Sequence, residues 1–353
     1  MLRQAYILLS GLLLFLSACE KPAPETEATP QAELFVPAVP ANLPGPVASP
    51  ARNPLTKQGI LLGRKLFYDP VLSGSNKISC ATCHNPQKAF SDGVALTTKG
   101  ASGNKLLRHT PAIINIAWMN GTFWDGGAKD LESLNFGPIK HPDEMNQDLN
   151  ELVAELKQHP EYPKLFKEAF PQEQEIASAL VSRALAQFQR TLISADSKYD
   201  KYIRKEAGGT LTALEMEGLH LYRQHCSSCH ATDLFTDNSY HNNGLDNSYS
   251  TDHEEIAFGR GRITQKQEDI GKFKTPTLRN VALTAPYMHD GRFATLEEVL
   301  NHYSSGIKPS ATLAPQLQNG ITLTEAEQQK IILFLHTLTD NTFVTNPAFS
   351  KPE

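Results

Sequence analysis

Two stretches decide how this chain is built: Ser79-Cys80-Ala81-Thr82-Cys83-His84 and Cys226-Ser227-Ser228-Cys229-His230. Each sets two thiols three positions apart with a histidine directly after the second. In that spacing the thiols add across the vinyl groups of a haem, and the histidine reaches the iron as proximal ligand. Two other chemistries use paired cysteines. A thioredoxin-like redox pair would need a strand–helix–strand context, which neither stretch has. A structural zinc site would need both pairs brought together and would leave His84 and His230 unexplained. The reading is therefore two covalently bound haem c groups, on Cys80, Cys83 and His84 and on Cys226, Cys229 and His230.

The fifth cysteine, Cys19, closes a different pattern. Met1-Leu2-Arg3 carries one positive charge, Ala5 to Leu16 is almost wholly apolar, and Leu16-Ser17-Ala18-Cys19 resembles a bacterial lipobox. The apolar run is short for a bilayer span and suits a cleaved signal, with Cys19 as lipid anchor. Residues 20–50, rich in Pro, Ala and Glu, read as a disordered tether. Haem attachment of this kind takes place outside the cytoplasm, so export agrees with the motifs. The expected location is the cell envelope, in the periplasm, with Glu20 leaning toward the outer membrane.

Length and composition set the frame. The chain has 353 residues, 40% hydrophobic and 20% charged, with formal charge −5. That length suits two domains, and the charge argues against nucleic acid as a partner. With 22 glycines and 23 prolines, long loops are expected. Helical stripes recur in the same order before and after each motif: Leu55, Leu62, Leu66 and Phe67 before the first, and a helix opened by the Thr212–Glu215 capping box before the second. Leu149 to Leu156, Ile176 to Phe188, and helices capped at Thr295 and Thr324 complete the plan. The expected fold is mainly α, with two cytochrome c-like haem domains over 51–205 and 206–345, divided near Gly208-Gly209.

Two haems in one chain carry electrons, or one of them does chemistry. Peroxide cleavage needs an open position at one iron, a general acid–base that moves a proton between the two oxygens, and a second source of electrons. Several short motifs bear on this choice: Leu62-Gly-Arg-Lys-Leu-Phe67, Ala89-Phe-Ser-Asp-Gly93, Phe123-Trp-Asp-Gly126, Pro142-Asp-Glu-Met145, Lys274-Thr-Pro-Thr-Leu-Arg-Asn280 and Pro286-Tyr-Met-His-Asp-Gly291. In this order, from about residue 53 to 340, the set resembles the bacterial dihaem cytochrome c peroxidase family, including the branch of the methylamine-utilisation dihaem oxidase. The resemblance implies that the haem on His84 is peroxidatic and that the haem on His230 stores and relays electrons. It also implies that Trp124 lies between them and that Glu144 is the distal acid–base. Without the motifs, Trp124 would read as a core indole and Glu144 as a solvated loop carboxylate.

Departures from the family pattern sharpen the expectation. Residues 85–107 hold no histidine to close the first haem, so it is expected to be open without reductive activation. His109 stands where the family has an asparagine associated with calcium, and Leu134 where it has a distal glutamine. Thr284 and Pro286 still fit as carbonyl donors to a Ca2+ ion, although His109 is a poor ligand for a hard cation. At the second haem the resemblance places the distal ligand at Tyr303 where many members have methionine. Leu296, Val299, Leu300 and Tyr303 share one helical face, so Tyr303 should point inward and His302 away. Met288 is the alternative ligand, and a plain buried tyrosine the third reading.

Three functions follow. The first is a peroxidase (cytochrome-c peroxidase, EC 1.11.1.5 type) reducing hydrogen peroxide with electrons from a small cytochrome c or cupredoxin, with a homodimer as a further expectation. The second is a peroxide-dependent oxidase of a partner protein's side chains, and the third a non-enzymatic electron carrier.

Overall fold

The computed structural model describes residues 31–249 and 257–353. The signal, the lipobox at Cys19 and the start of the tether lie outside the described residues. Among the described residues no helix is long and apolar enough to cross a membrane.

The fold is mainly helical, and one helix crossing occurs twice. The helix Lys57–Tyr68 packs against Ser178–Arg190, and Ala213–His225 packs against Glu325–His336. A glycine makes each crossing close: a Cβ on Gly63 would lie 1.9 Å from the Ala184 carbonyl oxygen, and one on Gly218 would lie 1.9 Å from that of Lys330. Only a residue without a side chain allows backbones that near. Phe188 and Phe334, both fully buried, pack beside the two glycines. The sequence placed these helices well because their ends are locally coded. Thr212, Thr295 and Thr324 each cap a helix and close a capping box with Glu215, Glu298 and Glu327. The first helix starts at Lys57 rather than near Asn53, because Thr56 is its cap. Asn53 instead donates to Glu132 at 2.7 Å.

Two apolar cores follow from the crossings. One is built on Leu66, Phe67, Phe90 and Phe188, the other on Tyr222, Phe235, Leu300 and Phe334. The end of the chain crosses the expected division. Phe343 and Phe349 lie in the first core, and Arg64 donates to the carbonyls of Pro347 and Ser350 at 2.6 and 2.7 Å. Among the described residues, β structure amounts to a two-residue antiparallel pair, Tyr240–His241 with Phe273–Lys274, and isolated bridges.

The tether expectation is corrected over 31–50, where the chain lies along the body. Leu43 is buried with Ala195 and Leu234, and Asn42 bonds Asp200 at 2.7 Å and Arg204 at 2.8 Å. Val39 and Leu43 supply apolar anchors that the Pro and Ala content conceals.

Asp200 also carries a fully buried bidentate pair with Arg279, both bonds at 2.8 Å. Burial would raise this carboxyl, but Arg279 outweighs it and holds it below the usual range. Arg279→Met removes the bidentate charge partner of a buried carboxylate and leaves it the neutral donors Asn42 and Ser197. It should lower unfolding stability by about 3–5 kcal/mol, read from a denaturant titration of the holoprotein.

Candidate haem sites and the cavity between them

Each haem-attachment motif folds as a tight turn whose backbone aims the histidine. Cys80–Cys83 is one helical turn, with Thr82 Oγ1 accepting the Ser79 N–H at 3.0 Å. His84 Nδ1 lies 2.7 Å from the Phe90 carbonyl, and His230 Nδ1 lies 3.1 Å from that of Phe235. A carbonyl only accepts, so Nδ1 carries the proton in both rings and Nε2 keeps its lone pair for a metal. Phe90 and Phe235 have positive φ, 63° and 56°, in the left-handed region. Both side chains are fully buried, which pays for that conformation. Burial lowers the pKa of both imidazoles, keeping them neutral as a ligand requires.

None of the four cysteines of the motifs is spent in a disulfide. Burial pushes Cys80 and Cys226 up to about 12 and Cys83 to about 11. Neutral thiols suit an apolar wall, and thioether bonds to haem would keep them uncharged. Both motifs open onto one continuous cavity of about 810 Å³. Two imidazoles with free Nε2 atoms, two thiol pairs beside them and a shared cavity fit two covalent haems.

The same cavity gathers the other residues expected from the sequence: Trp124, Glu144, Tyr303, Met288, Thr284 and Pro286, with Leu134 and His109. Glu144 is set by its loop. Its N–H donates to the His141 carbonyl at 3.0 Å, its carbonyl accepts from Ala101 at 2.6 Å, and buried Met145 pins the next position. Burial raises its carboxyl pKa, with His141 opposing weakly. His141 Nδ1 is 4.0 Å away and accepts the Asp143 N–H at 3.2 Å, so it is no strong ion-pair partner.

Trp124 is tied on two sides. Its indole N–H donates to the His109 carbonyl at 2.8 Å, and its own carbonyl accepts from Lys274 at 2.7 Å. His109 and Thr110 reach back to Val94 and Asp92, just beyond the first motif, at 2.8 and 3.2 Å. On the other side, Lys274 leads to Pro276, whose carbonyl favours the proton on His230.

Tyr303 lines the cavity, and burial pushes its phenol up to about 12 despite the Asn243 amide beside it. Asn243 Nδ2 also lies 3.3 Å from the Met288 sulfur, so one side chain meets both rival ligands. The sequence reading missed Asn243, which sits in a polar loop with no periodic or motif signal. His302 is corrected: it is buried, with Nε2 at 2.9 Å from the Asn243 carbonyl. The helix widens into a π turn over His302–Gly306, which removes the simple helical facing assumed for His302. At the candidate calcium position, His109 offers imidazole rather than oxygen, and its Nδ1 is taken by the Val94 carbonyl, so His109 is not a ligand suited to a hard cation.

With this geometry in view, comparison with known proteins gives one answer. The di-haem cytochrome c peroxidase family model matches residues 57–208. The methylamine utilization protein MauG of Methylorubrum extorquens is 38% identical over 299 residues, covering 84% of this chain and 82% of that protein. Cytochrome c551 peroxidase of Nitrosomonas europaea is 34% identical, covering 82% and 81%. Among solved structures, a MauG-like protein associated with microbial copper homeostasis superposes with a TM-score of 0.82 at 35% identity, covering 89% of this chain and 98% of that one. The chain belongs to the dihaem cytochrome c peroxidase family, which includes the MauG branch.

The family implies two haem c groups, and the two motifs should contribute independently. Replacing Cys226 and Cys229 together by alanine should halve the covalent haem per chain, read from the alkaline pyridine spectrum of denatured protein.

Proposed function

We propose that this protein reduces hydrogen peroxide to water in the periplasm, with electrons from a small cytochrome c or cupredoxin. The observation that carries the reading is Glu144 on the wall of the cavity that His84 also lines. When bound, the haems supply two redox-active irons, one open to peroxide on His84 and one holding an electron on His230. Glu144 takes a proton from the inner oxygen of peroxide and gives it to the outer one, which then leaves as water. Two electrons and two further protons complete two waters from each peroxide. Trp124, bonded to segments leading to both histidines, bridges the sites. Leu134 removes a polar neighbour from the distal side and leaves the proton transfer to Glu144. Lipid anchoring at Cys19 and a division near residue 205 belong to the same reading.

The test is steady-state oxidation of a reduced small cytochrome c by peroxide, using enzyme as isolated. Glu144→Gln should lower turnover by about 10²–10⁴-fold. The base must start ionised, so the rate should fall as pH drops through the Glu144 pKa. Because burial raises that pKa, the fall should begin at a higher pH than for a solvated glutamate. Turnover unchanged in Glu144→Gln would defeat this assignment.

One observation favours a second reading, a peroxide-dependent oxidase of a partner protein. Tyr303 occupies the cavity wall, and a phenolate ligand stabilises ferric iron where a thioether raises the potential. Such a site is a poor acceptor for electrons from a high-potential donor. On this reading Tyr303→Met should raise the reduction potential of the His230 haem and speed cytochrome c oxidation. Met288→Leu should leave the resting spectrum unchanged, and a changed spectrum there would make Met288 the ligand.

A further inference from the structure

Asp125 follows Trp124 directly and is completely buried. Its Oδ2 accepts from Arg108 Nη1 at 2.6 Å and from Arg262 Nη2 at 2.7 Å, while Oδ1 accepts the Gly127 N–H at 2.9 Å. Arg260 adds bonds to the Asp125 and Gly126 carbonyls at 3.1 and 3.2 Å. One carboxylate thus joins three segments distant in sequence. The two arginine contacts are charge-assisted and meet a carboxylate fully shielded from water, so they hold geometry more firmly than a pair exposed on both sides would.

The register of these bonds matters. Arg108 immediately precedes His109, whose carbonyl receives the Trp124 indole. Asp125 and Trp124 therefore grip neighbouring residues of the same strand of chain, at 108 and 109. Arg262 supplies the opposite wall, and its buried Nε has no hydrogen-bond partner among the described residues. Burial alone would raise the Asp125 carboxyl, but Arg108 and Arg262 outweigh it and keep it ionised.

We propose that Asp125 is a positioning residue: its clamp on Arg108 and Arg262 fixes the Trp124 indole against the His109 carbonyl and so sets electron delivery between the two haem sites. This rests on the reading of Trp124 as the bridge. The step is the passage of one electron from the reduced His230 site to the oxidised His84 site. No proton is transferred at Trp124, since the His109 carbonyl that holds its N–H is not a base.

The experiment uses the holoenzyme reduced at the His230 site and mixed with peroxide in a stopped-flow instrument. Decay of the reduced c-type band reports electron delivery, while the peroxide dependence of the first phase reports access to the His84 site. Asp125→Asn should slow band decay about tenfold or more, as a small misplacement does, and leave the first phase unchanged. Trp124→Phe should also slow it, and adding Asp125→Asn to Trp124→Phe should cost nothing further, because the clamp acts only through the indole. Arg262→Gln releases the same clamp from its more exposed side, and it decides by the same criteria if Asp125→Asn loses haem or fails to fold.

Normal decay in Asp125→Asn beside slow decay in Trp124→Phe overturns this inference alone. So does a full multiplicative loss in the double variant. Decay at the wild-type rate in Trp124→Phe overturns the bridge reading and this inference with it.

Discussion

The close contact of a glycine with a backbone carbonyl, made twice, underlies the whole architecture. With no side chain at Gly63 or Gly218, each leading helix drops onto its partner and brings its aromatic residue, Phe67 or Tyr222, beneath a haem motif. Phe67 lies tilted 6.4 Å from the His84 ring, centre to centre, and the Tyr222 hydroxyl bonds the His230 carbonyl. The imidazoles are thus braced from below by a helix and from behind by the Phe90 and Phe235 carbonyls. A side chain at either glycine would push the helices apart and take the brace away.

Between the two cores, buried carboxylates paired with arginines fix the backbone. Asp125, held by Arg108 and Arg262, ties the two halves together, while Glu132 with Arg190 lies within the first half and Asp200 with Arg279 beside the second core. Such pairs add little net stability, since desolvation offsets their attraction. They are directional, however, and tolerate few alternative geometries, which suits a region where two redox sites must keep a fixed relation.

What the sequence disclosed was local. The haem motifs, the capping boxes and the helical stripes are written within a few residues, and each folded close to where it was read. Glu144 and Trp124 were singled out only through the company their motifs keep, and the structure places both on the cavity wall. The rest depends on distant contacts with no local signature. Asn243 meets Tyr303 and Met288 from a polar loop, and the docking of residues 31–50 depends on Val39 and Leu43 finding Trp118, Ile193 and Leu234. His302 misled because the π turn breaks the helical count on which its orientation was based.

The return of residues 343–349 to the first core ties together segments far apart in sequence. Phe343 and Phe349 fill positions among residues almost three hundred places earlier, and Arg64 and Tyr68 bond the backbone around 347–350. The first core is therefore complete only with these late residues seated in it. Contacts this far apart slow folding, since loop closure is unfavourable before any burial offsets it. The same contacts couple the core beside Cys80 and Cys83 to the far end of the sequence. They also make the two halves one cooperative unit, in which loss of the last dozen residues would loosen the site farthest from them in sequence.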